Sequence, residues 1–225
     1  MAIEMHIIKA RLTFTEKVLG TASNNPEIHS EYIASKAEDA MKIEEEVAAI
    51  GVEEVIEKSM TVFPRNEDGT PILWDYQIKG FLKDATGCLR RVPGTKASKI
   101  KAFKKEIDGL LFVFPRMIPL NMPAELGTCE RPLRASTAQG ERIALANSET
   151  APAGTTIDIE IQCMTKDMYE LTKECLDYGI YRGIGQWRNS GMGRMVWDEL
   201  DDDGNVIGGN YNSVFGGKND AKASK

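Results

Sequence analysis

Apolar and polar residues alternate along His6–Thr15 (H-I-I-K-A-R-L-T-F-T), the period of two that marks a strand with one buried face. The alternation is cleanest over Thr155–Cys163, with Ile157, Ile159 and Ile161 on one side and Asp158, Glu160 and Gln162 on the other. Apolar runs at Met60–Phe63, at Leu110–Phe114 (broken by Pro115, with Met117–Leu120 continuing it), Glu141–Asn147 and Met195–Trp197 read as further strands. In three places the spacing widens to that of a helix. Ser30 can cap a helix over Glu31–Ile50, with Ile33, Ala37, Met41, Val47 and Ala48 on its apolar side. Ile72–Ile78 leads into a second helix, Lys79–Arg91, which groups Phe81, Leu82, Ala85, Cys88 and Leu89 and leaves Lys83 and Arg90 toward the other side. Asp167 caps a third over Met168–Tyr178, and Gly179 ends it. Turn chemistry fills Gly20–Glu27, Pro64–Pro71 and Pro152–Gly154. Val92–Lys105 reads as a loop or short helix and Gly127–Gly140 as irregular; residues 211–225 read as a disordered tail.

No repeat and no long linker interrupts this pattern, so residues 1–210 are expected to form one domain. Strands interspersed with two or three helices predict an α+β fold, an antiparallel sheet with helices on one face. The order is compatible with a ferredoxin-like arrangement carrying insertions, a sheet on which single-stranded RNA is commonly bound. The remaining composition mainly excludes. Cys88, Cys129, Cys163 and Cys175 form no C-x-x-C pair, so no zinc knuckle or redox motif is indicated. No apolar run reaches the ~18–20 residues of a membrane span, and the start lacks the pattern of a secretory signal. A cytoplasmic protein is expected, without a membrane partner. No carboxylate pair, metal-ligand cluster, P-loop or nucleophile triad is visible, so no cofactor is expected and no metal is assigned.

Net charge is -6, which argues against a general nucleic-acid binder, but the charges are segregated. Glu38–Glu57 holds eight acidic residues and one basic, while Lys79–Ile107 holds nine basic and two acidic, so one face can still be positive.

The densest chemistry lies in Tyr181–Trp197, where Gly183/Gly185 and Gly191/Gly193 enclose a polar bridge carrying Arg188, Asn189 and Ser190, with Arg194 just after. Four glycines so close imply a backbone in conformations other residues avoid, or one approached closely. Bare amides beside guanidinium groups suit a phosphodiester. A tight hairpin between a helix and an edge strand accounts for the same residues. Trp187 either stacks on a base or covers the edge of the core, and Trp197 is assigned to the core.

Three stretches resemble the CRISPR-associated RAMP superfamily, in its type III-like backbone-subunit branch. I-K-G-F-L-K-D-A at Ile78–Ala85 is similar to that superfamily's "I/L-K-G-x-L-R" helix start, and Ser148–Ile161 to its "E-x-V-P-x-G-T-x-F" segment. Gly183–Arg194, G-I-G-Q-W-R-N-S-G-M-G-R, looks like its closing glycine loop. The resemblance implies a modified RNA-recognition fold that holds a guide RNA in a helical stack of copies of itself, beside other effector subunits. Lys79 and Gly80 would stand at the RNA-contacting helix start, with Lys83, Arg90 and Arg91 nearby. Gly183, Gly185, Arg188, Ser190, Gly191, Gly193 and Arg194 would form the loop beside the sheet. The hairpin between Arg131 and Thr155, with Arg134, would be a protruding thumb that wedges the RNA. Two departures stand out. The branch's "P-G-S-S" reads W-D-Y-Q at Trp74–Gln77, and the loop after the first strand lacks the aspartate of target-cutting members.

The expectation is therefore a non-catalytic RNA-binding subunit, or a phage-borne relative that copies or interferes with one. Two alternatives stay open. An endoribonuclease of the same superfamily would use His29, beside Glu27, as general acid or base. A protein-interaction module would use the acidic helix Glu31–Ile50 against a basic partner.

Overall fold

The computed structural model describes residues 5–23, 60–137 and 140–215, with the side chains of 23 and 132–145 outside that description. Strand β1 (His6–Phe14) runs through the middle of a five-stranded sheet. Its neighbours are β10 (Thr156–Cys163) and β11 (Met195–Leu200); β6 (Leu111–Phe114) and β12 (Val206–Gly209) lie at the edges. Every neighbouring pair is antiparallel, with Leu12 opposite both Ile157 and Trp197. Leaving the edge strand β12 aside, the four remaining strands lie in the spatial order fourth, first, third, second. Helix α1 (Asp75–Leu89) intervenes between the first and second, and helix α3 (Lys166–Asp177) between the third and fourth. The expected α+β class and antiparallel sheet are both present.

The period-two pattern explains where the core sits. Ile8, Ala10, Leu12 and Phe14 are buried with Ile157, Ile159, Ile161 and Trp197, against Ile78, Phe81, Leu82 and Ala85 of α1 and Met168, Leu171 and Cys175 of α3. Each such large side chain contributes about 1.5–3 kcal/mol on burial, so helix-on-sheet packing rather than local propensity holds the layer. Burial also pushes the Cys175 thiol up to about 12, which makes it an inert core thiol.

Several boundaries differ from expectation for visible reasons. Helix α1 begins at Asp75, four residues before Lys79, because Gln77 Oε1 accepts the Trp74 N–H at 2.7 Å and Asp75 suits the positive end of the helix. Thr165, not Asp167, caps α3, its Oγ1 accepting the Met168 N–H at 3.3 Å. Helix α2 (Phe103–Leu110) begins in the stretch read as a loop or short helix but runs past its end to Leu110, expected as strand, with Ile107 as its buried residue. Met117–Leu120 does not extend β6; β7 (Met117–Pro119) pairs instead with β5 (Ile72–Trp74).

The stretch read as irregular is strand β8 (Gly127–Thr137), paired along its length with β9 (Gly140–Ala151). Pro132 hid it, since proline is tolerated only on an edge, and β8 pairs only with β9 among the described residues. β9 also pairs with β2 (Val18–Leu19) and, through Thr61 opposite Ser148, with β4 (Thr61–Val62); β3 (Ala22–Ser23) pairs with β4.

Tyr211–Phe215, placed in the expected disordered tail, forms a helical turn, and the rest of that stretch lies outside the described residues. Asp201 Oδ1 accepts the Asp203 and Asn205 N–H groups, closing the turn that returns β12 onto β11. His29 and the acidic Glu31–Ile50 segment lie outside the described residues. Among the described residues no helix is long and apolar enough to cross a membrane.

Candidate nucleic-acid interface

The glycine loop sits where β1 ends and β11 begins. Thr15 donates its N–H to the Arg194 carbonyl at 2.8 Å, and Gly193 donates to the Lys17 carbonyl at 2.8 Å. The two G-x-G pairs are packed on each other, with the Ile184 N–H on the Gly193 carbonyl at 3.0 Å. A Cβ on Gly183 would stand 2.2 Å from the Met192 carbonyl oxygen, and one on Gly193 only 2.0 Å from that of Ile184. What approaches these two glycines is therefore the chain's own backbone. Gly185 and Gly191 serve the turn, with φ of 86° and 87°.

The polar bridge reaches outward to two other elements. Asp84, on α1, accepts from Arg188 Nη1 at 3.0 Å and from Arg182 Nε, which holds the Arg182 guanidinium in its charged form. Gln186 is held at both ends of its amide: Nε2 donates to the Gly20 carbonyl at 2.9 Å, and Oε1 accepts from Arg131 Nη2 at 2.5 Å. Gln77 Nε2, from the first turn of α1, donates to Thr21 Oγ1 at 2.9 Å. Helix α1, the β8–β9 hairpin expected as the thumb, and the glycine loop thus meet through Asp84, Gln186 and the segment Lys17–Thr21. Asp84 and Gln186 were missed as site residues. Asp84 had left a signal, as one of only two acids in a basic run, and Gln186 had left one as the first residue of the polar bridge between the glycine pairs.

Lys79 and Gly80 do not stand at the start of α1, as expected, but in its second turn, because the cap lies at Trp74. Lys79 Nζ donates to the Asp108 carbonyl at 3.0 Å and lies 5.2 Å from the Phe112 ring centre, and burial there lowers its pKa. Lys83 pairs with the Asp108 carboxylate at 2.5 Å, a contact that lowers the pKa of Asp108. At 3.6 residues per turn, Lys79 and Asp84 project roughly 140° apart, so Lys79 and Lys83 face α2 while the loop docks on another side of α1. Arg90 lies 5.0 Å from the Phe103 ring centre. Arg91, Arg194 and Ser190 are exposed. Arg131 is buried, and the side chain of Arg134 is outside the description. Of the expected phosphate-gripping cations, Lys79, Lys83, Arg131 and Arg188 are engaged by their own chain; Arg90, Arg91 and Arg194 have no acidic partner among the described residues.

A Cβ at Gly80 would meet nothing within 4 Å. Gly80→Ala is accordingly expected to stabilise the protein by about 0.8 kcal/mol and raise Tm by about 2–3 °C, as thermal melting would read.

The sheet face away from the helices is a poor bed for phosphate. Arg11 is taken bidentately by Asp158 at 2.7 and 2.9 Å and Lys9 by Asp202 at 2.8 Å, while Glu160 and Asp198 share that face. Two exposed aromatic rings stand on that face at its edge, Phe112 and Phe114 of β6, opposite Gln162 and Glu160; others stand elsewhere, at Tyr76 of α1 and at Tyr181 and Trp187 of the loop.

No family model matches this sequence, and no curated protein matches it. Among solved structures, the chain is similar to one in the cryo-EM structure of the type III-B Cmr-beta bound to cognate target RNA. The identity is 12% and the TM-score 0.50, over 88% of this chain and 60% of that one. At this identity the likeness concerns the fold alone, and the chain spans about three fifths of the length of the solved chain it matches.

Proposed function

We propose that this chain binds a single RNA strand without cleaving it, as a RAMP-type subunit of the backbone kind. Its four-strand order then counts as ferredoxin-like, a modified RNA-recognition fold, with β8–β9 as the thumb. The observation that carries this reading is the convergence of α1, the hairpin and the glycine loop through Arg188–Asp84 and Arg131–Gln186. The fold-level likeness to a chain in an RNA-bound type III-B structure supports it. The strand runs along the loop side of α1, where Arg91 and Arg194 supply charge and Tyr181 and Trp187 supply faces for bases. The acidic sheet face takes no part. Copies of the chain assemble along the RNA as effector subunits in a prokaryotic cell, or as a phage-borne imitation of them.

The test is titration of single-stranded RNA followed by fluorescence anisotropy at several salt concentrations. Log K should fall with log salt by about 0.7 for each phosphate neutralised, so four contacts give roughly a 50-fold loss between 50 and 200 mM salt. Arg194→Glu should weaken binding roughly tenfold and leave thermal stability unchanged, because its guanidinium is exposed. Lys79→Glu is the contrasting variant: it sets a carboxylate beside Asp108 and should lower stability. Gly80→Ala should weaken RNA binding wherever a phosphate lies against that bare backbone, despite the higher Tm. Salt-independent binding, or none at low salt, would sink the proposal.

A further inference from the structure

Trp187 is the one non-glycine residue with positive φ among the described residues, at φ 55° and ψ 31°. A bulky side chain avoids this region, and where one is held there the surrounding structure has fixed it. The usual return for such a conformation is burial of the ring, yet Trp187 keeps 40% of its surface exposed. The restraint comes from below. Gln186 is tied to Gly20 and to Arg131, and the Arg131 guanidinium lies 5.4 Å from the indole ring centre.

Arg131 is itself unusual. It is 9% exposed, its Nε has no hydrogen-bond partner, and no carboxylate within ion-pair distance is found among the described residues. A buried cation is ordinarily paired, because its desolvation is otherwise uncompensated. Here its neighbours are a neutral amide and a π face. The arrangement spends a strained backbone and a buried charge to hold one indole at the surface, between the hairpin and the glycine loop.

From this we infer that Trp187 is a stacking platform for an unpaired nucleobase and that Arg131 is the positioning residue that sets its angle. The inference rests on the RNA-binding reading above and deepens it, by singling out one of that reading's base-facing rings and the residue that sets its angle. Stacking on an indole is tolerant of base identity, since every base has a π face, so the platform confers preference for single strands rather than for sequence.

The experiment compares oligo(U) with an abasic strand of equal length, at fixed salt, on wild type, Trp187→Phe, Trp187→Leu and Trp187→Gly. Glycine suits the left-handed geometry, so Trp187→Gly keeps the loop fold when leucine does not. Leucine and glycine variants should bind oligo(U) about tenfold or more weakly. Phenylalanine should recover most of the loss. Abasic-strand affinity and the salt slope should not change in any of them. Arg131→Met should reproduce the selective loss for oligo(U), and indole emission quenched by oligo(U) in wild type should stay unquenched in Trp187→Phe, which retains Trp74 and Trp197. Equal binding of both strands by wild type, or full oligo(U) affinity in Trp187→Gly, overturns the inference and leaves the phosphate-binding reading standing. Failure of wild type to bind either strand at low salt overturns both.

Discussion

Gly193→Ala is expected to cost roughly 3–5 kcal/mol, a large fraction of the ~5–15 kcal/mol that holds a domain of ordinary stability together. The added methyl would stand 2.0 Å from the Ile184 carbonyl oxygen, and that carbonyl belongs to a backbone pinned by the Ile184–Gly193 and Gly193–Lys17 hydrogen bonds. Neither strand of the loop can retreat without breaking one of them. Residue 193 also has φ of 69°, where a side chain is strained whatever the space. Gly183→Ala meets the same obstacle from the other side. Equilibrium urea denaturation measures the loss, and Gly80→Ala is its internal control, a glycine-to-alanine change of opposite sign. Equal stability of Gly193→Ala and wild type would show that the two glycine pairs do not hold each other.

The second large effect lies at the far end of β11. Glu199 is 8% exposed and accepts from Lys173 Nζ at 2.6 Å and from Tyr169 Oη at 3.0 Å. Lys173→Met would keep the aliphatic stem and strand the carboxylate beside the hydroxyl alone, at a cost of about 2 kcal/mol. The value sits below that of fully buried pairs because the lysine side chain keeps 33% of its exposure. Glu199→Gln should cost less, since the amide oxygen still accepts from Lys173 and the amide N–H can donate to the Tyr169 hydroxyl. The pH dependence follows from the lysine. Partial burial works against its charge, but hydrogen bonds to Glu199 and Tyr169 outweigh burial and raise its pKa. A raised folded-state pKa means that the pair's contribution is complete below the ordinary lysine value and is lost as pH climbs through the folded one. The stability gap between wild type and Lys173→Met should therefore close in the alkaline range, above about pH 10.4, when unfolding is followed from neutral to alkaline pH. A gap that stays constant with pH would assign the effect to packing.

How much could be read beforehand differs from element to element. β1 and β10 were legible because each has one face in the core and one in solvent, so alternation was imposed on the residues. β8 was illegible: it is stabilised by main-chain pairing with β9, a partner that compensates for Pro132 and for a composition without β pattern. α2 is too short to show a period, and α1 was placed late because a tryptophan at the cap and a glutamine three residues on are weak signals of a start. Within the site, the glycines drew attention for a sound reason, backbone in special conformations, but the partner of the closest contacts proved to be the loop itself. The cations were legible as cations and not as free ones. Whether Lys83 or Arg188 meets solvent or a carboxylate depends on Asp108 and Asp84, and only folding brings those within reach.

From its order of residues alone, this protein was committed to an antiparallel sheet backed by helices, because periods of two and of 3.6 are local consequences of burying one side of a strand or helix. Folding in three dimensions decided everything that depends on distant chain segments meeting. The glycine pairs lock together, Asp84 claims two arginines, the open sheet face turns acidic, and one indole is left standing on a buried guanidinium. Those outcomes are fixed by separations of a few ångströms between residues as many as 193 positions apart, for which no local pattern exists.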